Sequence, residues 1–312
     1  MVTVAAAQFP PIYYNLSGCL DLAVEIIAKA KNENIDLIVF PEAWMPGYPE
    51  FAWGILPSTH SEILDSHFLR LYDNSVDLSR DALAPVREAA REHGIVVVLG
   101  INERAHEMSA STIYNTSVII DATGEVLNVH RKLMPTNVER TVWGFGDGRG
   151  LNVVETAVGR VGVLQCWENY MPLARTAMYA QNVEIYCAPT GECRDTWLSS
   201  MQHIGKEGAT FVVSVAPVLR GSDLPADLPA RDQLMTAEED WISTGNGVIC
   251  SPIGEIVAGP MKSELGFLSA SIDLSDVRSA RRNLDVVGHY SRPDVFQLKV
   301  NRSAVSPVSF ED

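Results

Sequence analysis

The chain has 312 residues, 46% of them hydrophobic and 20% charged, the balance of a globular α/β-sized protein with a sizeable core and no long disordered tract. Its 39 acidic and 24 basic residues leave a formal charge of -15, which repels phosphate backbones and anionic membrane surfaces and so argues against nucleic acid as a partner. The start, MVTVAAAQFPP, lacks the basic residues and apolar run of a secretory signal, and no stretch approaches the roughly 20 apolar residues of a membrane span; a cytoplasmic protein without membrane contact is expected.

In chain order, apolar runs of strand length fall at 2–9, 36–40, 95–101, 116–121 and 125–130, then at 161–166, 184–188, 211–216, 247–251, 255–259 and 267–272. After the first run, Leu20, Val24, Ile27 and Ala30 line one face of a helix. Ahead of the third, Leu83, Val86 and Ala90 do the same in a second helix, closed by Gly94. Strands alternating with helices predict an α/β fold, while DATGEV (121–126) and SPIGEI (251–256) read as tight turns between antiparallel neighbours, so the sheet is mixed. This many strands suits either one large open sheet or two sheets packed face to face with helices outside. The segments 51–80 and 218–240, rich in aromatic, proline and polar residues, read as surface loops near the site or at a subunit contact. No linker divides the chain, so one domain over 1–312 is expected.

The five cysteines, at 19, 166, 187, 193 and 250, form an odd set without a CxxC pair, which suits a reducing compartment and leaves room for a working thiol. Cys19, Cys187 and Cys250 sit inside apolar patterns and read as small buried hydrophobes. Cys166 ends a strand, and Pro172 at a first helical position places the thiol near a helix N-terminus, where the backbone dipole stabilises thiolate. The seven histidines show no HExxH or HxH spacing, so no metal site is expected. His203 has a helical context that fits a packed or capping residue better than a base, and carboxylates are the alternative proton acceptors.

Among these, Glu42 follows the apolar run DLIVF directly, just past a strand's C-terminal end, where α/β proteins place ligands; Trp44, Tyr48 and Trp53 nearby would dry it and raise its pKa. Lys132 follows EVLNVH in the same way. Strand alternation sends Arg131 and Lys132 to opposite faces, so one of them turns inward, where an ammonium beside acids stays charged and stabilises developing negative charge. Glu139, seven residues on, reads as its ion-pair partner or as half of a surface salt bridge. WGFGDGRG (143–150) has the glycine density of a phosphate loop without the GK[ST] ending, and reads as a flexible loop over a pocket.

Taken together, FPEAWMPGYP, HRKLMPTNVER and CWENYMPL, in this order and at these separations, resemble the nitrilase branch of the carbon-nitrogen hydrolase superfamily. The resemblance runs from AAAQF through GDG, HIGKEG and GNGVICSP to GHYSRPDVF at 288–296. It implies a single carbon-nitrogen hydrolase domain folded as a four-layer αββα sandwich with two mixed β-sheets, and a catalytic set of Glu42, Lys132 and Cys166 with Glu139 as an additional acid. Glu42 would be the general base and Cys166 the nucleophile that turns a nitrile into a thioimidate. Lys132 and the Trp167 backbone N–H would stabilise charge while water releases ammonia and then the carboxylic acid. No cofactor is implied; the partners are a small-molecule nitrile and water.

Tyr48, Trp53, Trp143 and Trp167, inside or beside the motifs, shape a cavity for an aryl or alkyl nitrile or else belong to the core. Trp-Glu-Asn after the cysteine favours a nitrilase over an amidase or carbamoylase with the same set, and a cyanide-hydrating enzyme belongs to the same neighbourhood. A silent binding module is the remaining alternative, against which the intact set speaks. The chain ends at Asp312, soon after the last matched segment, whereas spiral-forming members of the branch often carry a longer tail; a homodimer or modest homo-oligomer is therefore expected.

Overall fold

Val4 and Ala6 point to one side of the first strand and Ala5 and Ala7 to the other, and all four are fully buried in two different apolar clusters. A strand covered on both faces reads as a continuous apolar run rather than an alternating one. In the computed structural model, which describes residues 1–55, 60–107, 110–303 and 308, this strand is β1 (Val2–Gln8). It leads to α1 (Leu16–Asn32), β2 (Leu37–Val39), the short α2 (Phe51–Gly54), α3 (Ser61–Asp73), α4 (Ala84–His93), β3 (Val96–Arg104), β4 (Ile113–Ile120) and β5 (Val126–Arg131). The chain continues with β6 (Val153–Thr156), β7 (Gly159–Val163), α5 (Pro172–Tyr179), β8 (Ile185–Pro189), α6 (Thr196–Gly208), β9 (Phe211–Val215) and β10 (Val218–Arg220). It closes with β11 (Trp241–Cys250), β12 (Ile256–Lys262), β13 (Gly266–Ile272) and α7 (Ser275–Asn283).

Two sheets form, which settles the choice between one sheet and two. The first has six strands in the order β13-β1-β2-β3-β4-β5; the second has seven, β10-β11-β9-β8-β7-β6 with β12 on β11. Both are mixed: β1, β2 and β3 are parallel, as are β7, β8 and β9, and the outer pairs are antiparallel. The sheets face each other across Val4, Leu37, Val39, Val96, Val98, Val161, Val163, Ile185, Val213 and Ile249. The first sheet's other side is covered by α1 and α4 through Ala23, Ile27, Ala30, Val86 and Ala90. The second sheet's other side is covered by α5 and α6 through Met178, Trp197, Met201 and Ile204. The layers are therefore helix, sheet, sheet, helix, an α/β sandwich, and each fully buried Val, Leu or Ile contributes roughly 1.5–3 kcal/mol.

The turns read at 121–126 and 251–256 join β4 to β5 and β11 to β12, with Gly124 and Gly254 at positive φ. Two strands escaped the sequence reading. β6 and β10 are short edge strands of three or four residues carrying Glu155 and Arg220, too brief and too polar to stand out as apolar runs. The expected surface loops also need correcting. Residues 51–80 contain α2 and α3, with 56–59 outside the described residues, and 218–240 contains β10 and two 3-10 turns. Phe51, Ile55, Leu71, Leu224 and Leu228 are buried together with Tyr13, Tyr48 and Trp143, so the two segments clasp each other over one end of the sandwich. No helix among the described residues is long and apolar enough to cross a membrane.

Candidate active site

β2, β3 and β5 run in one direction within the first sheet, and β7 and β8 are parallel in the second, so the segments leaving β2, β5, β7 and β8 can converge at one end of the sandwich. Glu42 leaves β2 in a turn that crosses directly over β3: a Cβ on Gly100 would lie 2.1 Å from the Pro41 carbonyl oxygen, so that crossing requires glycine. The Met45 N–H to Gly100 and the Asn102 N–H to Met45 pin the turn at 3.0 and 2.7 Å. Lys132 leaves β5, with its N–H donated to the Asn115 carbonyl at 2.8 Å. Arg131 turns the other way, to Glu103 and Glu107, leaving Lys132 as the inward cation. Glu139 stands in the 3-10 turn Asn137–Thr141 and closes it by accepting the Thr136 N–H at 2.5 Å.

Cys166 opens a 3-10 turn, Cys166–Tyr170, at a φ of +49°. A side chain in this left-handed conformation is held there by its surroundings. Asn169 donates to the Leu164 and Cys166 carbonyls at 3.0 and 2.8 Å and accepts from Tyr186 at 2.7 Å, while Arg175 donates to the Asn169 carbonyl.

Three of these side chains bond to one another, and Cys166 lies within electrostatic reach of all three. Lys132 Nζ donates to Glu42 Oε1 at 2.6 Å and to Glu139 Oε2 at 2.7 Å, and all three groups are buried. Asn115 donates to Glu42 Oε1 at 2.8 Å, and the Gly191 N–H to Oε2 at 2.6 Å. Tyr48 donates its hydroxyl to Glu139 Oε1 at 2.5 Å. Burial raises the Glu42 carboxyl, the Lys132 charge pulls it back, and the Glu139 charge raises it further, for a net upward shift. Burial works against the Lys132 ammonium, yet the charges of Glu42, Cys166 and Glu139 outweigh it and hold the lysine protonated.

The Cys166 thiol corrects an expectation. Burial first, then the Glu42 and Glu139 charges, push it up to about 12 against the opposing pulls of Lys132 and the Thr190 hydroxyl. α5 begins only at Pro172, and its dipole does not make a resting thiolate in this setting.

Sequence reasoning missed the groups that hold these residues. Glu168 is fully enclosed and binds His130 Nε2 at 3.0 Å, the Leu133 N–H at 2.7 Å and the Gln165 N–H at 2.7 Å. It ties the strand end that carries Lys132 to the turn that carries Cys166. Burial raises its carboxyl, but the His130 charge and these donors prevail and lower it. Its place beside Cys166 made it look like part of a motif rather than a brace. Asn115, Thr190 and Gly191, which also touch the cluster, sit in strands or turns with no chemical signature of their own.

Cys166 and Glu139 open onto a cavity of about 330 Å3 walled by Tyr48, Glu50, Trp53, Thr136, Trp167, Gly191, Glu192, Cys193, Arg194 and Ile242–Thr244. Trp53 and Trp167 are both partly exposed. Trp53 Nε1 donates to Tyr48 Oη at 3.0 Å and Trp167 Nε1 to Glu192 at 2.7 Å. Trp143 takes the core alternative and is not on the cavity wall. It is buried behind Tyr48, edge-on at 5.5 Å, with Nε1 on Asn102. Trp44 packs on Phe40 in the helix-covered core. His203 is neither packed nor a cap; it is exposed on α6, 3.5 Å from Glu207. The glycine-rich 143–150 stretch is a strap laid against β5 and not a loop over the cavity: the Gly146 N–H binds the Lys132 carbonyl, and a Cβ there would be 2.1 Å from the Arg131 carbonyl oxygen.

The family model described as "Carbon-nitrogen hydrolase" matches residues 3–282. A bifunctional nitrilase/nitrile hydratase of Nicotiana tabacum is 38% identical over 99% of this chain and 88% of its own. An aliphatic nitrilase of Sinorhizobium fredii is 37% identical over 97% of each. Among solved structures, the carbon-nitrogen hydrolase from Helicobacter pylori superposes with a TM-score of 0.69 at 16% identity, over 94% of this chain and 96% of that one, and shares the fold.

Proposed function

The chain belongs to the carbon-nitrogen hydrolase family, and on that premise we propose that it is a nitrilase, a single domain that turns an organic nitrile and two waters into a carboxylic acid and ammonia. The observation that carries this reading is the Lys132 ammonium bonded to both Glu42 and Glu139 at 2.6 and 2.7 Å, in electrostatic contact with a thiol on the cavity wall.

A thiol held up at about 12 is a neutral S–H near neutral pH. Its proton therefore passes to the Glu42 carboxylate as sulfur attacks the cyano carbon, and the nitrogen takes up that proton to give the thioimidate. Lys132 stabilises the negative charge that builds up on the substrate. The Trp167 N–H, in the first turn after Cys166, where helical amides lack an intrahelical partner, adds a second donor. Glu42 next deprotonates a water that adds to the thioimidate carbon; the C–N bond breaks, ammonia leaves, and an acyl-thioester remains. A second water, activated in the same way, frees the acid and returns the proton to sulfur. Glu139 also accepts from Lys132 and is itself fixed by Tyr48 and Thr136.

We place the enzyme in the cytoplasm as a homodimer or larger homo-oligomer, on the strength of its acidity, its free thiols and its resemblance to the nitrilase branch.

Incubation with a panel of alkyl, arylalkyl and aryl nitriles, with ammonia, acid and amide quantified, tests the assignment. Acid and ammonia in equal amounts are expected, and the bifunctional name of the tobacco relative is the reason to measure amide as well. Turnover of amides with none of nitriles would make the protein an amidase, and formamide from cyanide would make it a cyanide-hydrating enzyme. Cys166→Ala should abolish turnover, a loss of about 10^4-fold or more, and leave the thermal midpoint within about 2 °C.

A further inference from the structure

The cavity wall carries three charged side chains beyond the Lys132 cluster: Glu50, Glu192 and Arg194. Two of them satisfy each other. Arg194 Nε donates to Glu192 Oε1, and Glu192 Oε2 also accepts from Trp167 Nε1. Glu50 differs from both. Its backbone is fixed, because its carbonyl accepts from the Trp53 and Gly54 N–H groups at 3.1 and 3.3 Å and its own N–H lies 3.3 Å from Tyr13 Oη. Its carboxylate, in contrast, belongs to a half-buried residue on the cavity wall and has no cation or hydrogen-bond donor among the described residues to offset its desolvation, which pushes it up to about 7. Tyr13 and Tyr14, the groups that sense its charge, are phenols that burial keeps neutral, so they supply no counter-charge.

A half-buried carboxylate without a partner keeps part of its desolvation cost uncompensated, and a cation brought to it offsets that cost. The cavity offers a place for such a cation. Glu50 and Trp53 are three residues apart in one turn and both contribute to the wall, so a carboxylate and a half-exposed indole border the same space, and indole faces attract ammonium groups. We propose that Glu50 is the specificity determinant of this cavity and that the preferred substrates are nitriles bearing a protonated amine. The proposal rests on the nitrilase reading and adds to it the chemical class of the substrate's other end.

Matched pairs of substrates test it: an alkyl nitrile ending in a primary ammonium against its isostere ending in methyl, and the corresponding pair of amides, all at pH 8 with a chain long enough to keep the amine protonated. The wild type should favour the ammonium member by about tenfold or more in kcat/KM, the scale of one partly desolvated ion pair. In Glu50→Gln that ratio should fall to near one. A wild-type ratio of one or less, or an unchanged ratio in the variant, overturns the proposal. If amides and no nitriles are turned over, the nitrilase reading falls, and the ratio within the amide pair still decides the role of Glu50. A second measurement needs no variant: a short alkylammonium ion should inhibit the wild type at least tenfold more tightly than the alcohol of equal length, and equal inhibition counts against the proposal.

Discussion

His130 and Lys132 stand two residues apart at the end of β5, and each meets a buried carboxylate. Glu168, opposite His130, has its oxygens taken up by the imidazole and two backbone N–H groups, shares none of these donors with a second carboxylate among the described residues, and is not part of the cavity wall. Its carboxyl is lowered. Glu42, opposite Lys132, is as deeply buried and has as many donors, yet Glu139 shares its cation and Cys166 lies beside it, and its carboxyl is raised. Burial is common to both sites. What separates them is the like charge beside Glu42: a carboxylate with its donors to itself is locked in one state, whereas one that competes for a single ammonium stays within reach of a proton. The first kind of site braces the fold, and the second is suited to proton transfer.

Removing the shared ammonium should break this contrast most severely. Lys132→Met leaves Glu42 and Glu139 facing each other in a dry site without a counter-charge, and loss of one partner from a buried ionic cluster costs about 3–5 kcal/mol. Urea unfolding at pH 7 should show that loss, together with the disappearance of turnover. Full stability in this variant would mean that the two acids already share a proton and that the cation is not what holds them.

Glu168→Gln sharpens the comparison from the braced side. The amide keeps the shape but weakens the charge-assisted bonds to His130, Leu133 and Gln165, for a loss of about 2 kcal/mol at pH 7. Because the Glu168 pKa is lowered on folding, its contribution is present above the unfolded carboxylate value near 4.3 and disappears as pH falls through the folded value. Wild type and variant should therefore differ at pH 7 and converge in acid. As a positioning residue it should cost roughly 10- to 100-fold in kcat with little change in KM; an equal rise in KM would point to a role in binding instead.

The sequence made some of this legible and concealed the rest for physical reasons. Glu42, Lys132 and Cys166 each follow an apolar run, and strand alternation alone separated Arg131 from Lys132, so the polar residues at strand ends could be found without coordinates. Partners came from far along the chain: Asn115 is 73 residues from Glu42, and Gly191 is 149. No local pattern encodes such pairs. The glycines of 143–150 were read for flexibility because their density is local information, whereas their use, close approach to β5, depends on a tertiary contact. The amphipathic spacing of Ile63, Leu64, His67 and Leu71 was present in 51–80, but interleaved charges and aromatics masked it as a loop. The direction of the thiol shift was also out of reach, since it depends first on tertiary burial and then on carboxylates brought in from 42 and 139.

Glu50 extends the comparison to a third carboxylate, one with neither a brace nor a shared cation, and its variant should have the smallest effect and the opposite sign. Its folded pKa, about 7, lies above the unfolded value near 4.3, so folding favours its protonated form. The associated stability is complete below about pH 4 and is lost as pH rises through about 7. A full shift of that size would be worth roughly 4 kcal/mol by linkage, but a carboxylate open to cavity water is partly screened, and about 1 kcal/mol is the reasonable scale. Glutamine does not titrate, so Glu50→Gln should match the wild type at pH 4 and be more stable than it by about 1 kcal/mol at pH 8, read from urea midpoints at the two values. A difference that stays flat with pH would mean that the Glu50 carboxylate is already compensated in the folded protein, leaving no unpaired charge for a substrate ammonium to meet.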